Sequence, residues 1–562
     1  MPSITINGKK HEFRPGQSIL QVALEHEVEI PHYCYHPGLS VVASCRICLA
    51  EVWVPNPKTG KLEAIPKLVP TCQQAASDGM VVYSDSPKSA ANQKAVMEYL
   101  LINHPVDCPV CDKAGECHLQ DYSYQYGRGQ SRFEEDKVKQ PKKDVGPSIL
   151  LYSDRCIMCT RCVRFTREVT GTGELMVDGR GNRESIDVFP GAALDNELAG
   201  CVTDICPVGA LLDKDFLFQQ RVWYLTKSPA IDGITASGDN LWVESNDGRV
   251  YRVRPRENLE VNKWWTTDEI RHGWKFVHAE ERLSLPAIRG EEPFVREQAA
   301  EAWENAILAV DRQMKTLGPV ANKRLALLAS PMLTCEDAYW LARYALAVDP
   351  EAILGVGPVP THGTERDFPG GYRTCAEKAP NARGVRRVLE AVAASIPARG
   401  GARVLAFDAF LAEVARPACG AAIVTGNYPS AWCTPALAAA LAGRHVTLLD
   451  TIDHGGPGNL VHAAEVVLPT VTWLEKDGCF ENRAGRLQAF PAAIAPRDFA
   501  RAEAQVAIEL LAEWKGTVGH RFDAAATRAE MAKVAGLEGL ASALLPEVHA
   551  ETVESDMQFV EL

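Results

Sequence analysis

Apolar and polar residues alternate over Ser3-Ile4-Thr5-Ile6-Asn7-Gly8-Lys9, the two-residue period of a half-buried strand entering a glycine turn. Gly16 to Glu27 follows as a short helix, so residues 1 to about 78 are expected to form a small mixed α+β module. From Lys88 to His104, Ala91, Ala95, Met97, Tyr99, Leu100 and Leu101 recur as they would on a helix. Pro105 ends it, because proline disfavours helical geometry in the residue before, and His104 is therefore expected at the helix end. Residues 118 to 148 are polar and rich in Gly, Lys and Gln, with Lys137, Lys139, Lys142 and Lys143 flanking Pro141, which predicts a solvated linker on the surface.

The pattern changes twice more. Residues 221 to about 290 read as short strands with turns such as Ser245-Asn246-Asp247-Gly248-Arg249, a mostly β part. Beyond about 295, amphipathic helices alternate with short apolar runs such as Arg324 to Ala329 and Ala421 to Val424, which predicts an α/β layer structure with a parallel sheet. With 562 residues the chain is long enough for several cores, and 46% hydrophobic with 23% charged residues is the composition of a folded protein. A net charge of −13 argues against nucleic acid as a partner. No run of about eighteen apolar residues occurs, and Met1 to Lys10 holds no stretch of signal-peptide character, so neither a membrane span nor secretion is expected.

Cysteine changes the picture most. Twelve of the 17 cysteines fall between Cys34 and Cys206, and Cys335, Cys375, Cys419, Cys433 and Cys479 are scattered singly afterwards. In an unsecreted chain, such density calls for metal or redox chemistry before disulfides. The first group is Cys34, Cys45, Cys48 and Cys72; four thiolates hold a two-iron cluster, and a structural zinc site is the alternative. Its long last spacing contains Pro55, Pro57, Gly60 and Pro66 and reads as a hairpin excursion. The second group is His104, Cys108, Cys111 and Cys117, which fits a four-iron cluster of mixed ligation, with His104 as an ordinary helix-end residue or a zinc site as the alternatives. The third is Cys156-Ile-Met-Cys159-Thr-Arg-Cys162 closed by Cys206-Pro207, three thiolates on one loop and a remote fourth. Cys201 competes with Cys206, which its following proline favours, leaving Cys201 as a buried free thiol. Arg155, Arg161 and Arg164 crowd that loop, either to offset an anionic cluster or as plain surface residues.

A row of one-electron centres suits conduction rather than bond chemistry. No P-loop or strand-linked G-x-G-x-x-G occurs, so nicotinamide and flavin are expected on a partner chain.

At this point the sequence resembles the large peripheral iron–sulfur subunits of respiratory complex I, the NADH:quinone oxidoreductases. The resemblance rests on Cys-Tyr-His-Pro-Gly-Leu at 34 to 39, Ser-Cys-Arg-Ile-Cys at 44 to 48, the His104 to Cys117 group continuing to Asp121, Asp154 to Phe165, and Asp204 to Leu211. It implies one 2Fe-2S cluster on Cys34, Cys45, Cys48 and Cys72. It further implies two 4Fe-4S clusters, one on His104, Cys108, Cys111 and Cys117 and one on Cys156, Cys159, Cys162 and Cys206. The implied fold is multidomain α+β and α/β: a β-grasp ferredoxin-like module at 1–78, a helical cluster module with linker at 79–149, a ferredoxin-like module at 150–220, a β-rich module without cluster at 221–294, and a degenerate molybdopterin-oxidoreductase-like α/β scaffold at 295–562. That last likeness is carried by Ala464 to Pro469 running into Glu475 to Asn482, while Gly355 to Gly363 lacks the thiol, carboxylate or serine that would hold molybdenum, so none is expected.

The resemblance implies a relay of electrons from NADH-reduced flavin toward quinone, with no catalytic residue in this chain. The implied partners are the flavin/NADH-binding subunit and other peripheral-arm iron–sulfur subunits. The implied place is the cytoplasmic face of a bacterial inner membrane, or the matrix side in mitochondria; the lack of an Arg/Ser-rich leader before Met1-Pro2-Ser3 points to a bacterial or processed chain. The rival readings are a molybdenum or tungsten formate dehydrogenase, a hydrogenase relay subunit, and a zinc-built interaction scaffold.

Overall fold

The computed structural model describes residues 1–289, 301–317, 323–396, 404–456 and 458–542, with the backbone of 548–549 and 559–560. The expected module boundary at 294/295 lies outside the described residues. The chain forms two compact units, Met1–Leu225 with Asp367–Tyr372, and Thr226–Arg366 with Arg373–Leu562.

Unit 1 opens with the predicted alternating strand, β1 (Ser3–Ile6), which hairpins onto β2 (Lys9–Glu12). Helix α1 (Ile19–Glu25) is shorter than the span read from sequence because Ser18 starts it with a reciprocal cap on Gln21. It buries Ile19, Leu20, Val22 and Ala23. Strands β3 (Leu49–Pro55), β4 (Leu62–Ala64), β5 (Val69–Pro70) and β6 (Val81–Tyr83) complete a sheet of order β2-β1-β6-β3-β4, with β5 on β3. The β3–β4 pair is the hairpin excursion between Cys48 and Cys72.

Helix α2 (Pro87–Leu101) stops three residues short of His104, which lies in the following loop rather than at the helix end. The Lys137 ammonium takes the carbonyls of Leu101 and Ile102, each at 2.7 Å, so the last turn is closed by a side chain instead of by the proline alone. The expected linker is only partly one. Residues His118–Tyr126 form α3, which buries Leu119 and Tyr122 at helical spacing, and Lys142–Asp144 form strand β7 on β8 (Ile149–Tyr152). Its polar composition hid this: the Lys143 ammonium pairs with Asp187 and Lys142 lies over the Tyr152 ring.

A single turn, α4 (Arg161–Arg164), continues into a wide five-residue turn, Phe165–Val169. After it come the hairpin β9 (Leu175–Asp178) and β10 (Ser185–Val188), α5 (Cys201–Ile205), and β11 (Leu211–Asp213), which pairs with β8.

Unit 2 begins with a meander, β12 (Thr226–Ile231), β13 (Asn240–Asn246) and β14 (Arg249–Pro255). The region read as mostly β then turns helical over Asp268–His278, where Thr267 caps the first turn. A seven-stranded sheet follows: β15 (Ala287–Ile288), β16 (Arg324–Ala329), β17 (Ile353–Val356), β18 (Val404–Leu405), β19 (Cys419–Thr425), β20 (His445–Asp450) and β21 (Val466–Pro469). Its order is β15-β21-β20-β19-β16-β17-β18, parallel except for the edge strand β15. From β18 across to β21 this is the doubly wound order, in which ligands sit outside the strand ends where the winding reverses, here between β16 and β19. Tyr428 is buried there, donates its hydroxyl to the Pro358 carbonyl at 2.7 Å and stacks on Trp432 at 5.0 Å.

Candidate metal centres

The first cysteine group is brought together by the β3–β6 sheet and the loop after α1. Cys34, Cys48 and Cys72 are buried and Cys45 half-buried, and the four form two contacting pairs. The Cys48 and Cys72 sulfurs stand 3.6 Å apart. Within each pair the contact splits the two thiols, Cys34 and Cys48 being pushed down by their neighbours Cys45 and Cys72, which are themselves pushed up. One thiol of each pair therefore gives up its proton ahead of the other. Ala43 (φ 50°) and Arg46 (φ 59°) hold left-handed backbone in this loop, and the Asn92 amide secures Arg46 through its carbonyl at 2.8 Å. Two pairs of thiols are the donor set of a two-iron core.

The second group is built on irregular backbone. Cys108–Val110 is a single tight turn, Cys111 and Cys117 are buried, and Cys117 opens α3. Gly115 (φ 90°) makes the bend between them, with Val222 and Trp223 packed where a side chain would stand. The Arg221 guanidinium forks onto the Cys108 carbonyl at 3.0 Å and the Cys111 carbonyl at 3.1 Å. Half-buried His104 is held neutral, since burial pushes its imidazole down to about 4, so its lone pair is free for a metal. The Arg155 guanidinium reaches Asp107 at 2.5 Å and the Gly209 carbonyl at 3.4 Å, tying this group to the loop after Cys206.

The third group converges on a cavity. Cys156, Cys159, Cys162 and Cys206 wall a space of about 20 Å³ together with Leu151, Ile157, Ile186, Val208, Ala210 and Leu211. Met158 (φ 52°) and Thr160 (φ 58°) are left-handed, so the loop curls around that space. Burial pushes Cys156 up to about 12 and Cys159 up to about 11. Cys201 is fully buried and does not line the cavity, whereas Cys206 does. Arg161 and Arg164 are each 6% exposed, and Arg155 is 2% exposed, so the surface reading of these arginines is wrong. The Nε–H groups of Arg161 and Arg164 are buried without a partner. Four thiols, an apolar wall and unpaired cationic donors fit an anionic iron–sulfur core. Among the described residues no three His, Cys, Asp or Glu side chains meet closely enough for a single ion.

Known proteins match these regions one by one. A family model for the NADH-quinone oxidoreductase subunit 3 ferredoxin-like domain matches residues 146–212. One for the NADH-ubiquinone oxidoreductase-G iron-sulfur binding region matches 93–132, and one for a 2Fe-2S iron-sulfur cluster binding domain matches 2–87. The NADH-ubiquinone oxidoreductase 78 kDa subunit of Neurospora crassa is 40% identical over 322 residues, 57% of this chain and 41% of that protein. The G-type subunit of the NADH-quinone oxidoreductase of Rickettsia felis is 35% identical over 341 residues, 61% of this chain and 48% of that protein. This chain is homologous to the G-type, or 78 kDa, subunits of NADH-quinone oxidoreductase.

The chain thus matches a 2Fe-2S domain model and models for iron–sulfur binding and ferredoxin-like regions, followed by a stretch, 457–513, that matches a molybdopterin oxidoreductase model. The chain spans less than half the length of the curated relatives it matches. A chain of the NAD+-reducing NiFe hydrogenase in its H2-reduced state is 29% identical, covering 39% of this chain and 91% of that one at a TM-score of 0.32.

Sequence reasoning missed Arg221, Asp107 and Gly209. No local spacing relates Arg221 to Cys108; only the fold returns it to that loop. Gly209 lay in plain view after Cys206-Pro207, but its purpose is a close approach to Cys111 from another group.

Proposed function

We propose that this chain is an electron-relay subunit of an NADH:quinone oxidoreductase, accepting electrons from NADH-reduced flavin in a partner subunit and passing them toward a quinone-facing subunit. The cavity walled by Cys156, Cys159, Cys162 and Cys206, with two buried unpaired guanidinium N–H groups beside it, is the observation that carries this reading. In it, Cys34, Cys45, Cys48 and Cys72 hold a 2Fe-2S cluster; His104, Cys108, Cys111 and Cys117 hold one 4Fe-4S cluster and Cys156, Cys159, Cys162 and Cys206 the other. Bound there, such clusters supply one-electron oxidation and reduction and no substrate-bond chemistry.

The chain's own residues bind, orient and exclude water. Leu151, Ile186 and Leu211 keep the third site dry, Arg221 and Arg155 fix the loops of the second, and the β3–β6 sheet sets the pairs of the first. We assign modules 1–78, 79–149 and 150–220 to the three sites, and 221–294 and 295–562 to scaffold and docking. The other peripheral-arm iron–sulfur subunits are the remaining partners. No helix among the described residues is long and apolar enough to cross a membrane, and we place the chain peripherally on the cytoplasmic or matrix face.

The test measures iron, molybdenum, tungsten and zinc together, with low-temperature EPR, on anaerobically purified protein. About ten irons per chain, one two-iron and two four-iron clusters, without molybdenum or tungsten is the expected result. Near-stoichiometric molybdenum or tungsten would make the chain a dehydrogenase, and zinc without iron would leave only a scaffold.

A further inference from the structure

The first and third sites share two guanidiniums. Arg161 and Arg164 sit three residues apart on α4, hence on one side of the turn. Arg164 Nη2 donates to the Cys34 carbonyl at 2.5 Å and to the Cys159 carbonyl at 3.4 Å, and its Nη1 donates to the Ser40 carbonyl. Arg161 Nη2 donates to the Tyr35 carbonyl at 2.5 Å and its Nη1 to the Ile205 carbonyl at 3.0 Å. Each arginine therefore joins the Cys34 loop to the loops of the third group, at a cysteine or at its immediate neighbour.

Among the described residues no carboxylate forms an ion pair with either arginine, and each keeps a buried Nε–H without a partner. Two buried cations bonded only to carbonyls are costly unless anionic groups stand nearby. Among the described residues, the cysteine groups these arginines contact are the first and the third, which makes those two sites the natural source of the negative charge.

We propose that Arg161 and Arg164 form a cationic bridge shared by the two-iron site and the all-cysteine four-iron site. The bridge locks the two ligand loops together, raises both reduction potentials, and gives the electron a direct hydrogen-bonded route from the Cys34 backbone through one guanidinium nitrogen to the Cys159 backbone. This rests on the relay reading. The step served moves one electron from a reduced centre to an oxidised one; no covalent bond changes, and the guanidinium stays protonated throughout. Arg161 and Arg164 are thus positioning residues that act through Cys34, Cys159 and Cys206.

The experiment compares the anaerobically purified full chain with Arg164→Gln and Arg164→Lys by EPR-monitored redox titration. Electron exchange between the two sites is followed by freeze-quench EPR after rapid partial reduction. Glutamine removes the charge, and lysine keeps it but cannot fork across both carbonyls. The expected result is that Arg164→Gln lowers both midpoint potentials together while Arg164→Lys leaves them near wild type, and that exchange slows severalfold in both. Unchanged potentials in Arg164→Gln, or a shift at one site alone, overturn the shared bridge. If Arg164→Gln fails to assemble, exchange in Arg164→Lys decides: slowing supports the bridge and a wild-type rate overturns it. Absence of both iron signals from the wild-type chain would instead sink the relay reading, whatever the variants do.

Discussion

Gly209 faces the thiol of Cys111 so closely that a Cβ on it would stand 2.3 Å from the sulfur. The Gly209 loop is the side that is tied down. The Gly209 carbonyl accepts from buried Arg155, and two residues earlier the Pro207 carbonyl accepts from His118 N–H at 3.0 Å. Gly209→Ala is therefore expected to displace Cys111 and remove about four irons, the content of one 4Fe-4S cluster. The two-iron signal should persist. Iron analysis with EPR checks this, and full iron content in the variant would refute the packing argument.

His104 offers a second handle on the same site. His104→Cys replaces a neutral imidazole by a thiolate, so cluster retention with a lower midpoint potential is expected. His104→Ala should lose the cluster. A redox titration of both variants against wild type reads the difference, and an unchanged potential in His104→Cys would remove His104 from the ligand set.

Burial holds Cys156 up to about 12, and Cys117 and Cys159 up to about 11, against an ordinary thiol value of 9.0. The iron-free folded chain keeps these protons where the unfolded chain releases them. The stabilisation is complete below pH 9.0 and fades as pH rises through 11 to 12. The urea midpoint of iron-free protein should fall between about pH 8 and about pH 10.5 by an amount that shrinks in a Cys156→Ala, Cys159→Ala variant. An equal fall in that variant would place the cause elsewhere.

Cys201 and Cys206 are separable by substitution. Cys201 is buried off the cavity and Cys206 lines it, so Cys206→Ser should lose about four irons while Cys201→Ala keeps the full complement. The reverse pattern would exchange their roles.

In unit 2 the buried Lys476 ammonium bonds Asp337 at 2.7 Å and Glu503 at 2.5 Å. Asp337 also completes the cap at Thr334 of the helix Cys335–Val348, and Glu503 accepts from Asn427. Lys476→Met strands two buried carboxylates and should destabilise unit 2 by about 3–5 kcal/mol. The cysteine groups are all in unit 1, so iron content should be unaffected. Differential scanning calorimetry alongside iron analysis tests both halves of the statement.

The cysteine groups were legible because ligand spacing is local: Cys45-x-x-Cys48 and Cys156-x-x-Cys159-x-x-Cys162 put sulfurs together whatever surrounds them. The runs Arg324–Ala329 and Ala421–Val424, the second inside the strand Cys419–Thr425, were legible as parallel strands from continuous apolarity. What escaped depends on contacts far apart in the chain. Helix α3 hides two buried residues, Leu119 and Tyr122, among polar neighbours, and nothing near Lys137 says that it caps α2. The strand order of unit 2 depends on crossovers that periodicity does not encode, and so does the bond by which Tyr428 reaches the Pro358 carbonyl.

The wide turn Phe165–Val169 directly after α4 carries an evolutionary consequence. A turn of this kind holds one residue more than an α-turn, so a length change there is absorbed locally. Within α4 the same insertion would turn Arg164 by about 100° and move it about 1.5 Å along the axis, off the Cys34 and Cys159 carbonyls it bonds. Drift in length is tolerable on one side of Arg164 and ruinous on the other, which makes that residue a fixed point from which both neighbouring loops take their register.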